Sequence, residues 1–152
     1  MTNKTLTLED LLYFQKTVIE WNEIFGNSVT DKSLIEVYKS LTLEELLGKS
    51  ELLDSAKSGN KEGVVDGLVD TIYTGFFWGV LNKFTIDAED NWFRDGSWCK
   101  GINDTTFNTS IEYWVESLVE SVNRDDVFGF QTNFTILLYI CYLDYDLVGA
   151  FN

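Results

Sequence analysis

Apolar residues recur along most of this chain at intervals of three and four, the spacing that lines up side chains on one face of an α-helix. Leu11, Phe14, Val18, Trp21 and Phe25 make the first such stripe, which starts at a Thr7 cap with Glu9 and Asp10 in the first turn and ends at Gly26-Asn27. Leu34, Ile35, Val37, Tyr38, Leu41, Leu43, Leu46 and Leu47 make a second, with a break open at Ser40 or at Gly48. A turn at Ser58-Gly59-Asn60 introduces a third, carried by Val64, Val65, Leu68, Val69, Ile72, Tyr73, Phe76 and Phe77. Residues 83–108 lose all periodicity. Ile111, Trp114, Val115, Leu118, Val119 and Val122 restore it, and residues 127–151 read as one final, strongly apolar helix. No alternating β-branched run bounded by hairpin turns occurs. The pattern predicts an all-α bundle of four to five helices.

The polar positions inside these stripes carry the candidate chemistry. Glu44, Glu45, Glu51 and Asp54 fall on one predicted helix, and Glu44 and Glu51, two turns apart, share nearly one face. Glu62, Asp66 and Asp70 follow at four-residue intervals on a helix that is otherwise largely apolar. Most acidic clusters are solvated faces. Carboxylates on so hydrophobic a helix are partly buried, however, and a buried carboxylate needs a partner. With 11 lysines and arginines against 25 acids, that partner is a divalent cation, and oxygen ligands without a single histidine select magnesium or manganese over zinc. Gly63, Gly67, Gly75 and Gly79 stand at multiples of four along the same helix, a costly choice unless other helices approach closely there. On the first helix, Phe14, Gln15, Trp21 and Asn22 read either as core and solvated face or as the lining of a pocket for a planar ligand.

Composition narrows the partners. At 152 residues and 45% hydrophobic, the chain suits a single domain spanning residues 1–152. A net charge of −14 argues against binding nucleic acid through its phosphates. It also permits a different class of function, an acidic helical protein that imitates DNA, which requires carboxylates spread over an exposed face. Cys99 and Cys141 form no metal-binding pattern and read as buried thiols. The N-terminus lacks the features of a secretory signal, and the apolar runs near residues 72–81 and 134–143 are too short to span a bilayer, so a cytoplasmic protein with no membrane partner is expected. The abundance of aromatic residues predicts a homo-oligomer, dimer or tetramer.

FQKTVIEWNEIFGN at residues 14–27, LTLEELL at 41–47 and DGLVDTIYTG at 66–75 together resemble the all-α nucleoside triphosphate pyrophosphohydrolases, the MazG and phosphoribosyl-ATP pyrophosphohydrolase-like superfamily, and its small bacteriophage members in particular. The resemblance covers roughly the first half of the chain. It implies that acids on two consecutive helices hold magnesium on a triphosphate, which is cleaved to a nucleoside monophosphate and pyrophosphate. Glu44 and Glu45 match the paired glutamates and are the candidate catalytic bases. Asp66 and Asp70 match the acids of the second motif, and Glu45, Glu51, Asp66 and Asp70 are the implied metal ligands. The chain departs from the pattern at Gly48, where a third glutamate would stand. Either Glu51 substitutes for it, or Glu51 is itself that glutamate and the pair falls on Leu47 and Gly48. The resemblance places the nucleotide against Trp21 and Asn22, with Phe14, Gln15 and Tyr73 beside them; the C-terminal lysine segment of the phage forms has no match here, so phosphate contacts are either missing or supplied by Lys83 or Lys100. A weakened relative that binds a nucleotide or a protein without turnover is the alternative on the same fold.

Overall fold

The computed structural model describes residues 6–87, 111–142 and 146–152. Cys99, Lys100 and most of the aperiodic segment lie outside the described residues. The described residues form the helices α1 (Leu8–Ile24), α2 (Leu34–Leu47), α3 (Leu52–Ser58), α4 (Lys61–Leu81), α5 (Ile111–Asn123), α6 (Val127–Tyr142) and α7 (Leu147–Phe151), joined by turns and irregular segments. No strand occurs among the described residues, and the all-α expectation holds.

Local chemistry sets the helix ends. Thr7 and Asp10 form a reciprocal capping box at the start of α1, with Thr7 Oγ1 accepting from the Asp10 amide at 3.2 Å and Asp10 Oδ2 from the Thr7 amide at 3.0 Å. The second stripe breaks at Gly48, not at Ser40. Gly59, at φ +71°, closes α3 in the left-handed conformation, and Asn60 then caps α4 by accepting from the Gly63 amide at 3.1 Å. The apolar stretch at the C-terminal end is divided, because Asp146 caps a separate α7 through the Gly149 amide at 2.9 Å.

α4 is the central helix, packed against α1, α2, α3, α6 and α7. It is 21 residues long and apolar enough by composition to cross a bilayer, longer than the run at residues 72–81 indicates, yet 67% of its most apolar window is buried inside the fold. Its glycines are the close-approach positions. A methyl group on Gly67 would stand 2.9 Å from Leu52 Cβ of α3, and one on Gly79 would stand 2.4 Å from Gln131 Nε2 of α6. Gln131 donates to the Gly75 carbonyl at 2.8 Å, so the α4–α6 contact is hydrogen-bonded as well as tight. One cluster of buried apolar side chains draws members from every described helix, among them Leu11, Leu46, Leu52, Leu68, Val115, Phe130 and Leu147.

The α1 stripe differs from the expected one. Leu11, Phe14 and Val18 are fully buried, but the inward line continues to Asn22, and Trp21 and Phe25 are exposed. Each residue advances the helix by roughly 100°, so Trp21 lies a quarter-turn away from the line that Val18 and Asn22 define.

Candidate metal centre

A tight turn between α2 and α3 shapes the site. α2 carries Glu45 in its last turn and stops at Gly48. The Glu51 amide then donates to the Gly48 carbonyl at 3.0 Å, while Ser50 takes the left-handed conformation at φ +64°. Asp54 Oδ2 accepts from the Ser50 amide at 2.9 Å and holds this turn. Glu51 therefore stands at the N-cap of α3 and not on α2. The expectation that Glu44 and Glu51 share a helix face fails for this reason, and Glu45 is the residue that Glu51 meets.

α4 supplies the third acid. Glu45, Glu51 and Asp70 each offer a carboxylate oxygen, and these oxygens lie within 4.8 Å of one another. Glu45 is partly buried, and its Oε2 is inaccessible to solvent with no hydrogen-bond donor in reach. Burial, then the charges of Asp70 and Glu51, hydrogen bonding of the protonated form to Glu51, and the Glu44 charge push the Glu45 carboxyl up to about 7. Asp70 is exposed over much of its side chain. Partial burial and the charges of Glu51 and Asp66 still raise it above the ordinary carboxylate value.

Glu45 and Asp70, but not Glu51, line a cleft of about 280 Å³ together with Trp21, Tyr73 and Thr74. Aromatic rings form one side of it. Trp21 packs edge-on to Tyr73 with centroids 5.7 Å apart, and Tyr73 stacks on Phe151 of α7 at 4.9 Å with the planes 15° apart. Trp21 itself remains 47% exposed.

The other residues singled out in the sequence take different places. Asp66 lies one turn before Asp70 and outside the carboxylate trio, lining a separate hollow of about 400 Å³ with Lys61, Glu62 and Val65. Its charge reaches Asp70 without its oxygens joining the group. Glu44 is exposed and lies outside the trio, and its charge contributes to raising Glu45. Phe14 has no accessible surface and packs against Phe151 at 4.8 Å, so it is core and no part of a pocket. Asn22 is likewise buried. Its Nδ2 donates to the Val18 carbonyl at 2.9 Å, and its Oδ1 accepts from Asn27 at 3.3 Å and from the Tyr38 hydroxyl, which leaves no polar atom for a ligand. Gln15 clamps the Ile86 backbone, accepting from its amide at 2.7 Å and donating to its carbonyl at 3.0 Å. Lys83 lies beyond the far end of α4, thirteen residues from Asp70, which at 1.5 Å per residue is roughly 20 Å from the trio.

Thr74 and Phe151 complete the surroundings of the cleft and were not marked by sequence. Thr74 follows Asp70 by one helical turn, a signal that spacing alone carries. Phe151 reaches Tyr73 through tertiary packing, for which the sequence holds no signal.

The donor set tests which group would fit. Three carboxylate oxygens within 4.8 Å of one another, from the last turn of α2, the N-cap of α3 and α4, match a hard divalent cation that takes oxygen ligands. Comparison of the chain with protein-family models, with curated proteins and with solved structures finds no match.

Proposed function

We propose that the protein is a magnesium-dependent nucleoside triphosphate pyrophosphohydrolase, with manganese as an alternative ion. The observation that carries this reading is the convergence of Glu45, Glu51 and Asp70, two of which, Glu45 and Asp70, line a cleft together with Trp21 and Tyr73. Carboxylates gathered in a cleft support this reading over a DNA mimic, which needs them spread over one exposed face.

Glu45, Glu51 and Asp70 would hold the cation. Bound there, magnesium supplies neutralisation of the triphosphate charge and a more acidic water. Without such a counter-charge an anionic substrate is repelled, since Glu44 and Asp66 border the same region. The exposed Trp21 and the Tyr73 ring offer stacking surface for a nucleobase. Glu44 or Glu45 takes the proton of the attacking water. The water oxygen bonds to the α-phosphorus, the bond from that phosphorus to the oxygen bridging to the β-phosphate breaks, and monophosphate and pyrophosphate leave.

A chromatographic screen of common ribo- and deoxyribonucleoside triphosphates with magnesium tests the proposal. It expects monophosphate and pyrophosphate in equal amounts, and loss of both in Asp70→Asn, whose exposed position leaves the fold intact. Release of inorganic phosphate alone, or no turnover of any of them, overturns it.

A further inference from the structure

Gly48 has φ −60° and ψ 160°, a backbone conformation open to any residue, so conformation does not call for glycine here. Space does. A methyl group at this position would stand 2.6 Å from the Glu44 carbonyl oxygen and 3.0 Å from Glu51 Cγ. The turn places its one left-handed residue at Ser50, where glycine would relieve strain, and keeps glycine for the position that touches Glu51.

We propose that Gly48 is a positioning residue: by leaving out a side chain it lets the Glu51 side chain pass over the end of α2 to join Glu45 and Asp70, and the trio so completed takes one hard divalent cation per chain. The inference rests on the reading of the trio as a cation site given above and adds how that site is built and how many ions it takes. One set of three oxygens within 4.8 Å of one another suits a single ion. Among the described residues, Asp66 and Glu44, outside the trio, complete no second set. Asp54 assists by holding the Ser50 amide, which fixes the turn from which Glu51 departs.

The test is a titration of the full-length chain with manganese alone, followed by the loss of the free-ion electron paramagnetic resonance signal, with no nucleotide and no turnover involved. The expected result is one tight manganese ion per chain. Glu51→Gln and Gly48→Ala should each weaken it by about tenfold or more, the range found when a ligand or the group orienting it is removed. The double variant Gly48→Ala/Glu51→Gln should bind no more weakly than Glu51→Gln alone, because the proposed role of Gly48 runs through its contact with Glu51; a shift of the α2 end driven by the Glu44 carbonyl contact would add a further loss and overturn it. A general loosening of the fold would instead make the two losses add. Should Gly48→Ala not fold, Asp54→Ala takes its place in the same cycle, with the same non-additivity expected.

Wild-type affinity in Glu51→Gln, additive losses in the cycle, two equally tight ions, or no manganese binding by the wild type overturns the inference. Stoichiometric manganese binding together with no hydrolysis of any triphosphate fails the hydrolase reading and supports this one.

Discussion

Replacing Glu45 by glutamine should stabilise the metal-free protein at alkaline pH, although Glu45 is a proposed ligand. Its carboxyl is ordinarily half-ionised near 4.5 and is held at about 7 in the fold. The folded chain therefore binds this proton more tightly than the unfolded chain does. That contribution is fully present below about 4.5, is lost as pH rises through about 7, and leaves an ionised, unpaired carboxylate as a cost above it. A gap of this size corresponds to about 3 kcal/mol at 1.4 kcal/mol per pKa unit. The open cleft screens part of it, so about 1–3 kcal/mol is expected. Glutamine keeps the shape and carries no charge at any pH. Urea unfolding followed by tryptophan fluorescence, with a chelator present, should show Glu45→Gln more stable than the wild type by that amount at about pH 8.5, and within a few tenths of a kcal/mol of it at about pH 4.5. Magnesium should then reverse the order, stabilising the wild type by mass action and the variant far less. A variant less stable than the wild type at alkaline pH without metal, or an equal response of both to magnesium, would refute the reasoning.

Three further outcomes separate the cleft from its supports. Trp21→Ala and Tyr73→Ala should each raise KM for a nucleoside triphosphate by about tenfold, the loss of one ring against a base being worth about 1–3 kcal/mol, while manganese affinity is unchanged; steady-state kinetics beside the manganese titration checks this. Asn22→Leu should cost about 1–3 kcal/mol of stability, because the Tyr38 hydroxyl and the Asn27 amide lose their shared acceptor, and should leave KM alone; an effect on KM without one on urea unfolding would return Asn22 to the pocket. Gly67→Val should lower stability by about 1–3 kcal/mol by driving α4 from Leu52, and calorimetry should show the transition moved down by several degrees.

How far the sequence speaks depends on whether a property repeats with the helix or arises from where the helix stops. Gly67 and Gly79 were legible as packing positions because glycine costs a helix stability, and only a close neighbour offsets that cost. Asp70 was legible because a carboxylate on an apolar helix stands out at any register. Asp66 stands out equally, yet faces another hollow, since spacing along α4 does not reveal which of its turns lies opposite Glu45. On α1 the stripe predicted Trp21 and Phe25 inward, whereas Asn22 is the buried residue, its amide satisfied by Val18, Asn27 and Tyr38. Hydrophobic periodicity discounts a polar residue, and only the tertiary partners make its burial affordable.

Glu51 is the sharpest case. Treated as part of one long helix, it belongs with Glu44; the interruption at Gly48 turns it toward Glu45. The residue that looked like the defect in the acidic pattern is the one whose missing side chain leaves room for the third carboxylate. A site assembled across a helix break is invisible to periodicity, because periodicity presumes the helix continues. The physical signal was nonetheless in the sequence: a glycine three residues before an acid, at a helix end where its own backbone conformation gives it no reason to be glycine.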